Sequence, residues 1–204
     1  MDAIVLAGLK GLAVGFSIAA PVGPIGLLCI RRTLAGGWPL GFSTGMGAAT
    51  ADMVYGLLAA AGLTAVTEFL VGARQPLQFA GGAALIWLGL TFLRSAAPRV
   101  QMGAASTGLA AAYATSFLLT LANPATILSF AAVMAGLGAM GASGETAVLV
   151  AAVFLGSALW WLALSTAVSL VRRRLPDPVL VWINRASGAA IMVCGILALT
   201  AAMV

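Results

Sequence analysis

One carboxylate in the sequence, Asp52, lies well inside an apolar run, where its side chain could do chemistry. At the centre of a bilayer a carboxylate costs about 2.5 to 3.5 kcal/mol on insertion scales, so it should face protein or a water-filled cavity. That position suits two roles, carrying a proton and pairing with a substrate ammonium group. A purely structural hydrogen bond is the alternative. We predict that Asp52 binds a substrate and carries a proton.

Two proline-containing breaks interrupt long apolar runs. The first, APVGP, holds Pro21, Gly23 and Pro24, and the second, LANPATILS, holds Asn123 and Pro124. Proline removes a backbone donor and clashes with the preceding turn, so each break frees backbone groups. A freed helix N-terminus suits a carboxylate, and freed carbonyls suit a cation or an ammonium group. An amino acid offers both groups, so the break residues are predicted to bind substrate.

The polar residues at the second break leave alternatives open. Asn123 stands before Pro124, where its amide either caps the next half-helix or contacts substrate. Thr126 is predicted to line the same face. A proline kink that neighbouring helices repair is the structural alternative to a binding site, although two breaks in corresponding positions favour binding. The tryptophans, Trp161 among them, are interpreted as membrane-belt and packing residues.

The elements that must position these residues are transmembrane helices. Hydrophobic residues make up 62% and charged residues 7% of the 204 positions, against roughly 25% charged residues in soluble domains, so the chain is predicted to be an all-α integral membrane protein. Six apolar stretches predict six transmembrane helices. They span residues 3–30, 39–66, 76–93, 108–138, 146–171 and 179–203.

The two halves of the chain resemble each other. An offset of 100 residues places Pro24 on Pro124 and Pro76 on Pro176. We predict one membrane domain over 1–204, built from repeat one (1–100) and repeat two (101–204), each with three helices and a broken first helix. An odd number of spans per repeat inverts the second repeat, as in many secondary transporters. A purely structural duplication is the alternative.

Positive charges predict the orientation, since seven arginines fall in the first, third and fifth predicted loops. The positive-inside rule places those loops in the cytoplasm and both termini outside it. The net charge of +5 therefore implies no nucleic-acid partner. Arg185 either snorkels to the cytoplasmic interface or binds anions. Gly41, Gly45 and Gly47 should let helices pack closely, and such faces permit a homodimer.

The sequence contains few residues that could form an enzyme active site or a metal site. It has no histidine, its five acids are scattered, and its two cysteines, Cys29 and Cys194, lie in separate apolar runs. We predict no cofactor, no metal and no disulfide, with both thiols buried as small hydrophobic groups. An intramembrane enzyme would need a nucleophile and a base, for which only Ser or Thr beside Asp52 is available.

The segments APVGPIGLLCIRRTLAGG, GMGAATADMVYG and FLLTLANPATILSF resemble the LysE-type translocator family of amino-acid exporters. The resemblance covers nearly the whole chain. The residues that carry it are Pro21, Gly23, Pro24, Asp52, Asn123 and Pro124. Where many members read Asn-Pro-Lys, this chain has Ala125 after Pro124, so that lysine's role has no counterpart here.

The resemblance implies efflux of amino acids or close analogues from the cytoplasm, driven by the proton gradient or the membrane potential. We therefore predict a secondary active exporter, not an enzyme, in the bilayer of a bacterial-type cytoplasmic (inner) membrane. Its expected partners are an amino-acid substrate, protons and lipid. A small-ion or metal exporter or a channel is the alternative, although the scarcity of intramembrane acids and soft ligands disfavours metal.

Overall fold

A computed structural model describes residues 3–21, 23–60, 74–94, 108–123, 126, 130, 143–172 and 174–203. Over these ranges the chain is helical and contains no strand. The prediction of an all-α protein is therefore confirmed for the described part. The helices are α1 (Ala3–Ala19), α2 (Pro24–Gly36), α3 (Trp38–Ala60), α4 (Arg74–Arg94), α5 (Leu109–Leu121), α6 (Ser143–Arg172) and α7 (Asp177–Met203).

The first break bends the chain sharply. The axes of α1 and α2 meet at 78° across the interruption that contains Pro21 and Gly23. Gly23 is extended and precedes Pro24, the first residue of α2, where the missing proline N–H costs no helical hydrogen bond. At the second break α5 ends at Leu121, with Ala122 as its C-cap. Pro124 lies outside the described residues.

Length and composition identify membrane-spanning candidates among the described helices. Two are long and apolar enough to cross a bilayer, over Gly144–Arg172 and Pro178–Met203, and the bent α1–α2 pair would make a third if it forms one span. The shorter apolar helix Leu109–Leu121 stops at the second break. The count of six spans stays a prediction.

The helices pack as pairs whose directions follow from their contacts. Two helices are parallel when the residue numbers at their successive contacts rise together along both helices. By this criterion α1 runs parallel to α6, and α3 runs parallel to α5. Four pairs set these directions, namely Gly8 with Val148, Phe16 with Trp160, Ser43 with Leu109, and Tyr55 with Leu121. Residue numbers at successive contacts rise along one helix and fall along the other for two further pairs. Helix α3 is therefore antiparallel to α6, and α4 is antiparallel to α7.

Glycines allow this close packing. A Cβ atom at Gly47 would overlap the backbone of α5 at Tyr113, and one at Gly156 would overlap the backbone of α1 at Leu12. Gly41 and Gly45 likewise abut Thr33 and Trp161. The prediction that the glycines of the second helix serve close packing is confirmed, and these contacts are made within one chain.

The short helix α2 lies at the centre of the bundle, where it contacts α3, α5, α6 and α7. Leu28 and Cys29 of α2 are fully buried in the main apolar cluster with Ala48 and Ile191. Gly37 has a φ of +85°, which ends α2 and lets α3 begin at once with Trp38. Because α2 is held on several sides, the position of its first turn is fixed.

Arginines gather at one end of the bundle. The Arg172 guanidinium at the end of α6 donates to the Ala35 carbonyl of α2 at 3.1 Å. The Arg31 guanidinium carbon lies 3.2 Å from the ring centre of Phe92, near the end of α4. Arg32 is buried and donates to the Ala112 carbonyl and the Thr44 hydroxyl. The C-terminal ends of α2, α4 and α6 therefore share one face of the bundle.

Candidate functional site

A small polar pocket lies where the first break, α3 and the end of α5 meet. It has a volume of about 60 Å³. The predicted site residues within the described ranges all line it, namely Pro21, Gly23, Pro24, Asp52, Asn123 and Thr126. The seventh, Pro124, lies outside the described residues.

The N-terminus of α2 forms one wall of the polar pocket. Gly23, the N-cap residue, makes no side-chain capping hydrogen bond, and Pro24 has no N–H. The Leu27 N–H donates to the Gly23 carbonyl at 3.0 Å, which closes the first turn. The N–H groups of Ile25 and Gly26, both pocket-lining residues, belong to the first turn, where a helix leaves its donors without internal partners. This wall carries positive partial charge.

Another part of the lining comes from the C-terminal end of α5. Thr120 lines the polar pocket, and its carbonyl accepts from the Asn123 N–H at 3.1 Å. The Tyr55 hydroxyl of α3 donates to the Leu121 carbonyl, which secures the helix end. Because the last carbonyls of a helix carry negative partial charge, this wall suits a cation. The Thr126 N–H donates to the Asn123 carbonyl at 3.1 Å.

Asp52 closes the polar pocket from α3. Its side chain is only 3% exposed, and its Oδ2 atom accepts a hydrogen bond from the Ser157 hydroxyl at 2.7 Å. The Ser157 oxygen in turn accepts from the Trp161 indole N–H at 3.1 Å. Within the described ranges no Lys or Arg forms an ion pair with Asp52. The carboxyl group is thus oriented by neutral donors and remains able to take a cationic partner.

A second, larger cavity adjoins the polar pocket. It measures about 410 Å³ and shares Pro24, Ile25 and Asn123 with its neighbour. Its remaining walls come from α4, α5 and α7, in the half of α4 and α7 farther from Arg94. We name this space the apolar cavity, because aliphatic and small residues form most of its lining.

Some residues of the polar pocket were not predicted. Ser157 is one of several Ser and Thr residues in the mostly apolar stretch over residues 146–171, so its presence there is only a weak signal. Trp161 was interpreted as a belt or packing residue. It is instead buried, holds Ser157 and lines the polar pocket, so that interpretation is incomplete. Arg185 is exposed and does not line either cavity.

The polar pocket contains one carboxylate and no other strong metal ligand among its described residues. Across the described part of the chain, no group of three or more His, Cys, Asp or Glu side chains is placed to hold a metal ion. The described pocket thus presents two helix ends and one acid, an arrangement that complements a small zwitterion.

Comparison with known proteins assigns the family. The sequence model of the LysE type translocator family matches residues 16–202. The chain is 24% identical over 195 residues, 92% of each sequence, to the Bacillus subtilis (strain 168) protein named "Putative amino acid efflux protein YcgF". No solved structure matches. The match spans both breaks and every residue of the polar pocket, and the chain belongs to the LysE type translocator family.

Proposed function

We propose that this protein is a secondary active exporter of amino acids or close analogues, and that it binds them in the polar pocket. The observation that carries the proposal is the convergence of a helix N-terminus, a helix C-terminus and Asp52 on one small space. Family membership and the resemblance to a protein named for amino acid efflux support the same class of function.

The two ends of a zwitterion match different parts of the lining of the polar pocket. A substrate carboxylate would accept hydrogen bonds from the Ile25 and Gly26 N–H groups at the start of α2. The ammonium group would lie between the carbonyls that end α5 and the Asp52 carboxylate. Discontinuous helices bind substrates in this way in other secondary transporters.

Asp52 would couple substrate to protons by competition. An ionised Asp52 attracts the substrate ammonium group, whereas a protonated Asp52 does not. A proton arriving from the proton-rich side would release substrate there, and proton loss to the cytoplasm would restore binding. Ser157 orients the carboxyl group without adding a permanent positive charge, which leaves the competition to substrate and proton.

The packing of helices supports an inverted repeat. In the two proposed repeats, α1 corresponds to α5, α3 corresponds to α6, and α4 corresponds to α7. The parallel pair α1–α6 then maps onto the parallel pair α5–α3, and Gly156 against α1 corresponds to Gly47 against α5. The pair α4–α7 maps onto itself. Its contacts of Gly82 with Gly195 and of Gly89 with Gly188 are reciprocal and antiparallel.

The arginine-rich end supports a cytoplasmic assignment for the ends of α2, α4 and α6, which would leave both termini outside the cytoplasm. A single cysteine added at either terminus of a variant lacking Cys29 and Cys194 tests this orientation. An impermeant maleimide should label it from outside intact cells. Labelling only after the membrane is opened would contradict the orientation.

Counterflow in proteoliposomes tests the proposed function. The purified protein is reconstituted with each amino acid in turn as internal substrate, while a pH-sensitive dye reports proton movement. At least one amino acid should exchange, its net efflux into amino-acid-free medium should move protons in the opposite direction, and protein-free liposomes should show neither signal. A flat response to every amino acid, accompanied by ion flux, would contradict the proposal and favour an ion exporter or channel.

A further inference from the structure

The polar pocket is much smaller than the apolar cavity beside it, about 60 Å³ against about 410 Å³. Its two helix ends and Asp52 match the carboxylate and ammonium groups that all amino acids share. The apolar cavity adjoins it at Pro24, Ile25 and Asn123, which line both spaces. The side chain of a zwitterion bound in the polar pocket would enter the apolar cavity past these three residues.

The lining of the apolar cavity determines what it can hold. Leu85, Leu119, Leu197, Ala198 and Ala201 give it aliphatic walls. None of its described lining residues is charged, and Gln78 and Asn123 are its only amide side chains. A charged side chain placed there would lose its hydration without gaining an ion pair, whereas an apolar one would leave water.

Resting on the proposed function, we propose that the apolar cavity is the side-chain subsite of the exporter, and that it selects amino acids with large apolar side chains. Leucine, methionine and phenylalanine represent this class. The cavity volume of about 410 Å³ is within the roughly 300 to 1,000 Å³ of ligand pockets, so such side chains fit without displacing a helix.

Adjacency to the polar pocket favours a substrate side chain over a lipid chain as the occupant. A lipid acyl chain needs only apolar walls, whereas this cavity meets the α2 N-terminus and Asn123 at one edge. That polar edge matches the point at which a side chain leaves the zwitterion. The lipid alternative is separated from the substrate by the experiments below.

Counterflow rates across a panel of amino acids test the selectivity. Leucine, methionine and phenylalanine should exchange at least about 10-fold faster than alanine, since each buried methylene is worth about fourfold and these side chains carry several more heavy atoms than alanine. Lysine and glutamate should be poor substrates. Exchange of glycine, alanine or lysine at rates equal to leucine would overturn the subsite while leaving amino-acid export intact. No exchange by any amino acid would overturn both proposals.

Filling the cavity provides a second test. Ala198 lines the apolar cavity on α7, and Ala190 is exposed on the same helix and does not line it. Ala198→Phe should lower the ratio of leucine to alanine counterflow at least about 10-fold, and Ala190→Phe should leave that ratio unchanged. The ratio does not depend on how much protein folds. An unchanged ratio in Ala198→Phe would overturn the subsite.

Thiol labelling reports on the occupant of the wild-type cavity. Cys194 lines the apolar cavity, whereas Cys29 is fully buried, so Cys194→Ser should remove labelling by N-ethylmaleimide. Leucine at ten times its dissociation constant should slow labelling about 10-fold by occupying the site, and glycine should not. Protection by added phospholipid but not by leucine would identify a lipid site and overturn the proposal.

Discussion

The two neighbouring cavities are built in different ways. Backbone groups at helix ends and one buried acid form the polar pocket, so its chemistry depends on where α2 begins and α5 ends. Side chains and close helix contacts form the apolar cavity, so its shape depends on how α4 lies against α7. The first region suits groups common to all amino acids. The second suits the part in which amino acids differ.

This division predicts that a substitution in the polar pocket affects all substrates alike, whereas one in the apolar cavity changes their ranking. Helix ends cannot be changed greatly without refolding the chain, but cavity-lining side chains can. A family with one fold and varied substrates would therefore vary most along α4 and α7. The predictions below test each region separately.

The largest effect is expected at Asp52. Asp52→Asn should fold and insert, because the amide is nearly isosteric and removes a costly buried charge. It should abolish proton-coupled efflux of every substrate, since the amide can neither ionise nor attract an ammonium group. Counterflow and dye-reported proton movement measure both losses.

Glu145→Gln is the matched control for Asp52→Asn. Glu145 lies in the first turn of α6 and does not line the polar pocket, so its neutral variant should transport like the wild type. If Asp52→Asn transported with unchanged rate and pH dependence, Asp52 would be structural and the coupling would lie elsewhere.

The wall between α4 and α7 should tolerate little added volume. A Cβ atom at Gly82 would lie 2.9 Å from the Gly195 carbonyl oxygen, so Gly82→Ala should force the helices apart and cost about 1 to 3 kcal/mol. Thermal unfolding of the purified protein in detergent measures the loss. Gly56→Ala, whose Cβ would meet only ordinary contacts at 3.8 to 3.9 Å, is the control. Equal melting temperatures would show that α4 and α7 adjust freely.

Ser157→Ala should lower transport through the polar pocket without abolishing it. The change removes the 2.7 Å hydrogen bond to Asp52 and leaves the Trp161 indole N–H without its acceptor. Hydrogen bonds to charged groups contribute about 1.5 to 3 kcal/mol, so we expect transport of all substrates to fall by about 10-fold or more. Ser165→Ala on the same helix is the control, since Ser165 contacts the Cys29 thiol instead. A change in substrate ranking would contradict the assignment of Ser157 to the shared pocket.

The sequence predicted those residues of the polar pocket that stand out from their immediate sequence neighbours. Proline and glycine in an apolar run reveal a broken helix, and a buried acid is conspicuous because lipid makes it costly. Asp52, Gly23 and Asn123 were identified for these reasons. Ser157 and Trp161 were not identified. Ser157 contacts Asp52 only because α3 pairs with α6, at a separation of 105 residues in the sequence, and Trp161 is linked to Asp52 through Ser157. The apolar cavity had no signal, since a space between Leu and Ala residues looks like core in sequence.

The fold, like the polar pocket, could be predicted from the sequence only where local residue patterns determine it. Helical runs follow from composition, and the bend of 78° at the first break follows from the prolines. The parallel and antiparallel helix directions depend on contacts such as Gly156 against Leu12, which are invisible until both helices are in place. A uniform offset of 100 also pairs Gly56 with Gly156, yet only Gly156 abuts a backbone. Equivalent packing positions therefore follow helix geometry rather than a fixed sequence offset.

The smallest effect is expected from Gln78, a buried amide in the wall of the apolar cavity. Gln78→Leu replaces a polar group of similar size with an aliphatic one, so it should strengthen the preference for large apolar side chains by about two- to fourfold, the value of roughly one buried methylene. The leucine-to-serine ratio of counterflow rates measures this change, and Thr200→Leu, at an exposed position of α7 outside the cavity lining, is the control. The overall rate for leucine should change little, because the carboxylate and ammonium groups stay in the polar pocket. A lower ratio in Gln78→Leu would mean that the amide holds a polar part of the substrate, and the cavity would then select polar rather than apolar side chains.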